Sequence, residues 1–391
     1  MTEKLYYRDS HMTDFTARVL DCREMKNGWA LILDRTAFFP EGGGQAADTG
    51  CIGAVHVTDM HERNGEILHC CDAPLPAGTE VDCRIDAEQR FRRMQNHSGE
   101  HIVSGIAHTL YGCENVGFHM AECMTIDFDR ELEAEQLAKI ETLANQTVRA
   151  NLPIRAWFPE PEELKTLEYR SKLELTENVR IVEIEGIDRC ACCAPHVSFT
   201  GEVGVIKLLG FERHRGGVRI DLVCGMDALD DYRQKQQSVT DISRLLSAKR
   251  HEVSGAVERV LAEQQKQKEH IASLSMELVR YRAAAFEETD GNICVFDEVL
   301  DEPALRELVN VLMEKCGGIA AAFSGNDEEG YRYIIGSRSI DLRKAGREIN
   351  AAIGGRGGGS SQMIQGRAAA DMKTIRKAIM DELYRQNRQD V

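Results

Sequence analysis

Residues 232–285 contain no proline and a single glycine, Gly255. Spaced Leu, Ile and Val among Glu, Lys and Gln suit long helices packed as a hairpin or coiled coil, a spacer or dimerisation arm. The arm divides the 391 residues, already too many for one ordinary core, into parts of different character. Residues 1–88 read as β-rich, with short segments such as Trp29–Asp34 and Val55–Val57 broken by Gly, Asn and Asp. Residues 89–231 mix helical periods near 89–110 and 131–150 with alternating strands at 179–184, 203–209 and 217–223. Residues 286–391 return to α/β, with strands near 293–296, 318–323 and 332–336. A glycine-rich turn at 354–359 and a terminal helix from Ala368 to about Gln386 follow. The fold class is α+β and multidomain.

A hydrophobic share of 42% and a charged share of 29% give the balance of a soluble globular protein. No apolar run approaches the ~18 residues of a membrane span, and the N-terminus lacks a signal-peptide pattern, so a cytoplasmic location is expected. There the 13 cysteines read as thiols and metal ligands rather than as disulfides. The net charge of −16 opposes nucleic acid at long range, so RNA binding requires local basic faces. Candidates are Arg90, Arg92 and Arg93; Arg213, His214, Arg215 and Arg219; and Arg338, Arg343, Lys344 and Arg347.

His97-Ser-Gly-Glu-His101 sets two imidazoles one helical turn apart on one face, where both can reach a single ion. Cys192-Cys-Ala-Pro-His196 supplies a thiolate and an imidazole across a short bend after a strand. Each pair alone is a weak signal. Together, three imidazoles and a thiolate match one tetrahedral Zn²⁺ per chain better than magnesium or calcium. Cys190 and Cys193 are also within reach, but only Cys192 repeats the four-residue offset to a histidine.

The two pairs resemble the editing domain of alanyl-tRNA synthetase and its free-standing relatives, the AlaX proteins. Phe199-Thr-Gly-Glu-Val-Gly-Val-Ile-Lys207 and Gly216-Gly-Val-Arg-Ile220 are similar to the segments that follow the family's second ligand pair. Upstream, Phe38-Phe-Pro-Glu-Gly-Gly-Gly-Gln45 and onward to Gly50 resembles the glycine motif of the family's small β-barrel. Downstream, Gly354–Gly366 resembles the glycine-rich signature of the DHHA1 domain. The resemblance implies an N-terminal β-barrel over 1–88, a zinc-containing editing domain over 89–231, a helical arm over 232–285 and a DHHA1-like domain over 286–391. Because the barrel begins almost at residue 1, a free-standing long-type AlaX protein is expected rather than a synthetase.

The activity so implied is zinc-dependent hydrolysis of tRNA(Ala) mischarged with Ser or Gly, acting in trans, by a homodimer joined through the C-terminal region. Glu100, three residues after His97, is the candidate general base or grip on the substrate's amino group. Gln45, Thr49, Gly117, His119 and Asp188 are candidates for the substrate pocket, with Asp188 also able to orient a ligand histidine. Arg213, Arg215, Arg219 and the run Gly355, Arg356, Gly357, Gly358 are candidates for RNA contact. The chain departs from the family where Cys-Gly-Gly-Thr-His becomes Cys192-Cys-Ala-Pro-His196, a change in loop shape and in the hydrogen bonds behind the ligands. The alternative is a non-catalytic tRNA-binding or regulatory protein with structural zinc, or editing of another mischarged tRNA.

Overall fold

The computed structural model describes residues 2–26, 28–63, 65–120, 124–171 and 178–386. They form a mixed α/β chain with eight α-helices and several sheets, in two compact units, 1–241 and 242–391. Among the described residues no helix is long and apolar enough to cross a membrane.

In the first unit, β1 (Glu3–Lys4) runs parallel to β4 (Arg35–Thr36). Six longer strands surround a core of their own: β2 (Asp14–Met25), β3 (Gly28–Leu33), β5 (Gly50–Ile52), β6 (Val55–Arg63), β7 (Glu66–Cys71) and β8 (Glu80–Ile85). Their pairing runs β2-β3-β7-β6-β5-β8 and closes when β8 returns to β2. β8 shows how sequence drives this. Its Val81, Cys83 and Ile85 point inward while Glu80, Asp82 and Arg84 face water, the period-2 pattern of a strand with one wet face.

Helix α1 (Ala87–Tyr111) leaves the barrel directly. Asp86 caps it by accepting from the Gln89 N–H at 3.0 Å, and Gly112 ends it in the left-handed region (φ 63°). From Met94 to Ala107 every residue of α1 is buried, because protein surrounds this stretch. One side meets the sheet β14-β15-β10-β9, made of β9 (Asn115–Met120), β10 (Met124–Phe128), β14 (Ile206–His214) and β15 (Gly217–Cys224). Helix α2 (Ala134–Ala150) lays Leu137, Ile140, Ala144 and Val148 into the same core. A three-stranded sheet of β11 (Ile154–Trp157), β12 (Ile181–Ile184) and β13 (Asp188–Ala191) carries the second ligand loop, with the short α3 (Pro161–Leu164) between its first two strands. The glycine motif docks across from the barrel. Gly44 (φ 83°) accepts from the Met120 N–H, and a Cβ there would meet Phe118 at 2.7 Å, so only glycine permits this approach.

The helical arm comprises α4 (Gly225–Leu245) and α5 (Val253–Ala284). In the second unit a five-stranded sheet runs β16-β17-β18-β20-β19, from β16 (Ile293–Asp297), β17 (Ile319–Asn326), β18 (Gly330–Ser337), β19 (Arg356–Gly359) and β20 (Met363–Ala368). One face packs against α7 (Leu342–Ile353) and α8 (Met372–Gln386), and the other against α5 and α6 (Glu302–Leu312).

Three sequence expectations change here. Arg356–Gly359 is an edge strand rather than a turn, because β20 supplies its ladder. The terminal helix starts at Met372, after Asp371 accepts from the Thr374 N–H, while residues 363–368 are a strand. The cluster of Arg90, Arg92 and Arg93 offers no basic face. Arg90 is buried in an ion pair with Asp48 and donates to the carbonyls of Ala37 and Ser10. Arg92 binds Asp227, Asp230 and Glu88, and Arg93 donates to the Ala47 carbonyl.

Candidate metal centre

α1 holds His97 and His101 one turn apart in its fully buried stretch, and the loop after β13 brings Cys192 and His196 to them. One potential ligand atom from each of the four lies within 4.8 Å of all the others. The Cys192 Sγ is 3.5 Å from His97 Nε2 and 3.4 Å from His196 Nε2. Bonds of 2.0–2.3 Å around a tetrahedral zinc give edges of about 3.5 Å, so this donor set has the span the ion requires.

Each histidine is aimed by its other nitrogen. His97 Nδ1 donates to Gln45 Oε1 at 2.9 Å, and His101 Nδ1 to Asp188 Oδ2 at 2.9 Å. His196 Nδ1 lies 3.1 Å from Ser98 Oγ. Engaging Nδ1 leaves Nε2 turned to the common centre, the arrangement that fixes metal-binding imidazoles. Asp188 is itself held by Arg170, whose Nε donates to Oδ1 at 2.8 Å. Burial opposes the Asp188 charge, but His101 and Arg170 together keep its carboxyl below the usual range.

Electrostatics separates the three neighbouring cysteines. Burial pushes the Cys190 and Cys193 thiols up to about 11. Burial acts the same way on Cys192, but His97 and the hydrogen bonds from His101 and His196 outweigh it and hold that thiol well below its ordinary value. His196 is kept neutral, pushed down to about 3 chiefly by burial. Cys192 alone is therefore poised as a thiolate, the form that binds metal.

The cluster opens on a cavity of about 440 Å³ whose walls include Gly43, Gly44, Val116, Phe118 and Phe158. Glu100 is 5% exposed and lines it. Its Oε1 accepts from Ser104 Oγ at 2.7 Å and from Asn115 Nδ2, while its Oε2 lies 3.8 Å from His101 Nε2. Gly117 also lines the cavity, where a Cβ would strike Asp127. The other pocket candidates sit elsewhere. Gln45 and Asp188 stand behind the histidines, Thr49 donates to Gln89 Oε1 at 3.1 Å, and His119 is exposed to solvent. Among the RNA candidates, Arg219 forms two 2.7 Å bonds to Asp127, Arg213 is exposed beside Glu131, and Arg215 turns the β14–β15 hairpin at φ 48°.

Two contributors escaped the sequence reading. Arg180 is buried and donates through Nη1 to the carbonyls of Cys192 (3.1 Å) and Ala194 (2.8 Å), while its own carbonyl accepts from the Cys192 N–H. It therefore clamps the ligand loop. Its only signal is a charge between two apolar strand residues, Val179 and Ile181, which single-sequence patterning reads as a solvent-facing position. Asn115 presents to the site an amide whose Oδ1, like Gln45 Nε2, is buried with no hydrogen-bond partner among the described residues. Nothing in its local sequence marks it.

Three family models match the chain in order. Residues 3–89 match tRNA synthetases class II (A), 179–220 the threonyl and alanyl tRNA synthetase second additional domain, and 290–384 the DHHA1 domain. An alanine–tRNA ligase from Halorubrum lacusprofundi is 32% identical over 90% of this chain, which spans only 40% of that protein's length. The C-Ala domain of Aquifex aeolicus alanyl-tRNA synthetase aligns with 26% of this chain and 96% of its own at 24% identity, with a TM-score of 0.21, too low to speak to the fold. Matched domains and ligand geometry together define a relative of the alanyl-tRNA synthetase editing region. Over its full length the chain is similar to a free-standing relative of that region. The alanyl-tRNA editing protein AlaX-L of Pyrococcus horikoshii is 27% identical and aligns over 98% of both chains.

Proposed function

We propose that the protein is a trans-editing hydrolase that deacylates tRNA(Ala) mischarged with Ser or Gly, using one zinc ion held by His97, His101, Cys192 and His196. The observation that carries this reading is the buried four-donor cluster opening on a cavity beside a carboxylate. When bound, the ion supplies Lewis-acid polarisation of an ester or water oxygen. The chain does the rest. Glu100 keeps Oε1 in the bonds from Ser104 and Asn115, which leaves Oε2 to grip the substrate's α-ammonium or take a proton from attacking water. Phe118, Phe158 and Val116 give the cavity an apolar wall beside Glu100. Arg213, Arg215, Gly355 and the β19 residues Arg356, Gly357 and Gly358 contact RNA, and a homodimer forms through the C-terminal region.

A non-catalytic reading has one observation in its favour: four protein donors complete a tetrahedron, the usual mark of a structural zinc. Deacylation of Ser-, Gly- and Ala-tRNA(Ala) measured side by side separates the two. Loss of the Ser and Gly esters with Ala spared, and turnover reduced at least about 100-fold in Glu100→Gln with zinc retained, is the expected result. tRNA binding without turnover, or rapid loss of the Ala ester, sinks the editing reading.

A further inference from the structure

The cavity that opens on the four-donor cluster is larger than an aminoacyl group needs. At about 440 Å³ it lies in the range that takes a small organic molecule, and a glycine or serine residue fills only part of it. Besides the donors and Glu100, its wall carries two aromatic rings near the ligand loop, Tyr7 and Phe158.

A single exposed aromatic side chain calls for no explanation on a protein surface. Phe158 differs because its surroundings hold it in place. It follows Trp157, the last residue of β11, and precedes Pro159, which favours an extended backbone at Phe158. Trp157 is paired with Ile181 of β12, so the register brings Phe158 alongside Arg180. Tyr7 meets Phe158 in a T-shaped contact, with ring centroids 5.2 Å apart and planes at 76°. Tyr7 is itself fixed. Tyr6 lies against it at 4.6 Å, and the Arg180 guanidinium and Lys4 ammonium stand over its ring at 5.2 and 5.7 Å. Arg180 in turn donates to the carbonyls of Cys192 and Ala194. Three contacts therefore tie Phe158 to the loop that carries two of the donors. A T-shaped contact covers at most one face of a ring, and Phe158, 48% exposed, keeps aromatic surface open where it borders the cavity.

We propose that Phe158, held by Tyr7 and Arg180, is the stacking platform for the base of the terminal nucleoside whose ribose carries the ester. The inference rests on the aminoacyl-tRNA reading above and gives a partner to a part of the substrate that reading leaves without one. In an aminoacyl nucleoside the base leaves the sugar at C1′ and the ester at O3′. One cavity walled by a ring and by the donor cluster therefore takes both groups at once. Stacking adds affinity through a flat aromatic face and uses no hydrogen-bonding group, so it does not compete with the ester for Glu100 or the donors. Because Arg180 supports both Tyr7 and the ligand loop, one side chain registers the base against the ester.

The test uses the full chain and two non-hydrolysable probes, 3′-serylamino-3′-deoxyadenosine and the same serylamide on a ribose without a base. Calorimetric titration of the wild type gives at least about tenfold tighter binding of the adenosine probe. Phe158→Ala weakens that probe about 10- to 100-fold and leaves the base-free probe unchanged, whereas Phe158→Trp keeps the preference. Phe158→Leu retains apolar bulk without an aromatic face and behaves as the alanine variant does, which separates stacking from packing. With Ser-tRNA(Ala), Phe158→Ala raises KM and changes kcat less, because the base is bound alike before and during the reaction. Equal affinity of the two probes for the wild type, binding of neither, or full adenosine affinity in both Phe158→Ala and Phe158→Leu overturns the platform, whatever the turnover. A wild type that prefers the adenosine probe yet hydrolyses no aminoacyl-tRNA overturns the editing reading alone.

Discussion

Three histidines of the cluster depend on partners that hold their far nitrogens, and two of those partners are unlike in chemistry. Gln45 offers His97 a neutral amide oxygen, whereas Asp188 offers His101 a carboxylate that Arg170 also binds. Removing either acceptor frees the imidazole to rotate and lowers its basicity. Gln45→Ala and Asp188→Asn are each expected to weaken zinc binding about 10- to 100-fold without unfolding the chain. Asp188→Asn carries the larger effect, because Arg170 then loses its buried counter-charge. Competition against a chromophoric chelator measures this, and affinities equal to wild type in both variants would remove the positioning role. At this scale the ligands were legible because an i, i+4 pair and a Cys-x-x-x-His are local patterns. Arg180 and Asn115 were not, since their importance lies in atoms that are distant in sequence: the carbonyls of Cys192 and Ala194, and the Glu100 carboxylate.

Helix α1 serves at once as wall of the core it shares with α2 and as carrier of two candidate ligands, and its glycines record that packing. A Cβ on Gly105 would lie 2.4 Å from the Ile187 carbonyl oxygen and 2.7 Å from Asp188 Cβ. These atoms open β13, the strand that orients His101, so they cannot yield without moving the site. Alanine is favoured over glycine by about 1 kcal/mol in a helix, yet overpacking against backbone costs about 1–3 kcal/mol. Gly105→Ala therefore lowers stability and zinc affinity together. Gly255, near the start of α5, is the contrast. Its added Cβ would meet only Arg259 Nη1, at 3.7 Å, so Gly255→Ala stabilises by roughly 0.5–1 kcal/mol. Denaturant midpoints of the two variants should move in opposite directions, and a common direction would refute the packing argument. Long amphipathic elements such as α1, α2 and α5 could be read from periodicity. β19 and β20 could not: Arg-Gly-Gly-Gly has no side-chain alternation, and its strand character comes from a ladder with residues 364–367.

At the level of the molecule, the ligands and the hydrophobic clusters are divided in the same way. The barrel core and the core around α1 lie within residues 1–241 along with all four candidate metal donors, while the two cores flanking the five-stranded sheet lie within 242–391. Among the described residues each apolar cluster lies within one unit, so each unit has a core of its own to melt. A zinc ion that bound only the folded form of the first unit would stabilise it by mass action, about 2.7 kcal/mol when free zinc is 100 times its dissociation constant. Calorimetry of the full chain is expected to show two transitions. A chelator should shift the one assigned to the first unit downward and leave the other in place. Hydrogen exchange across α1 and β18 identifies which is which, because protection in α1 follows zinc and protection in β18 does not. A single transition that moves as a whole with zinc would mean that the arm couples the units energetically.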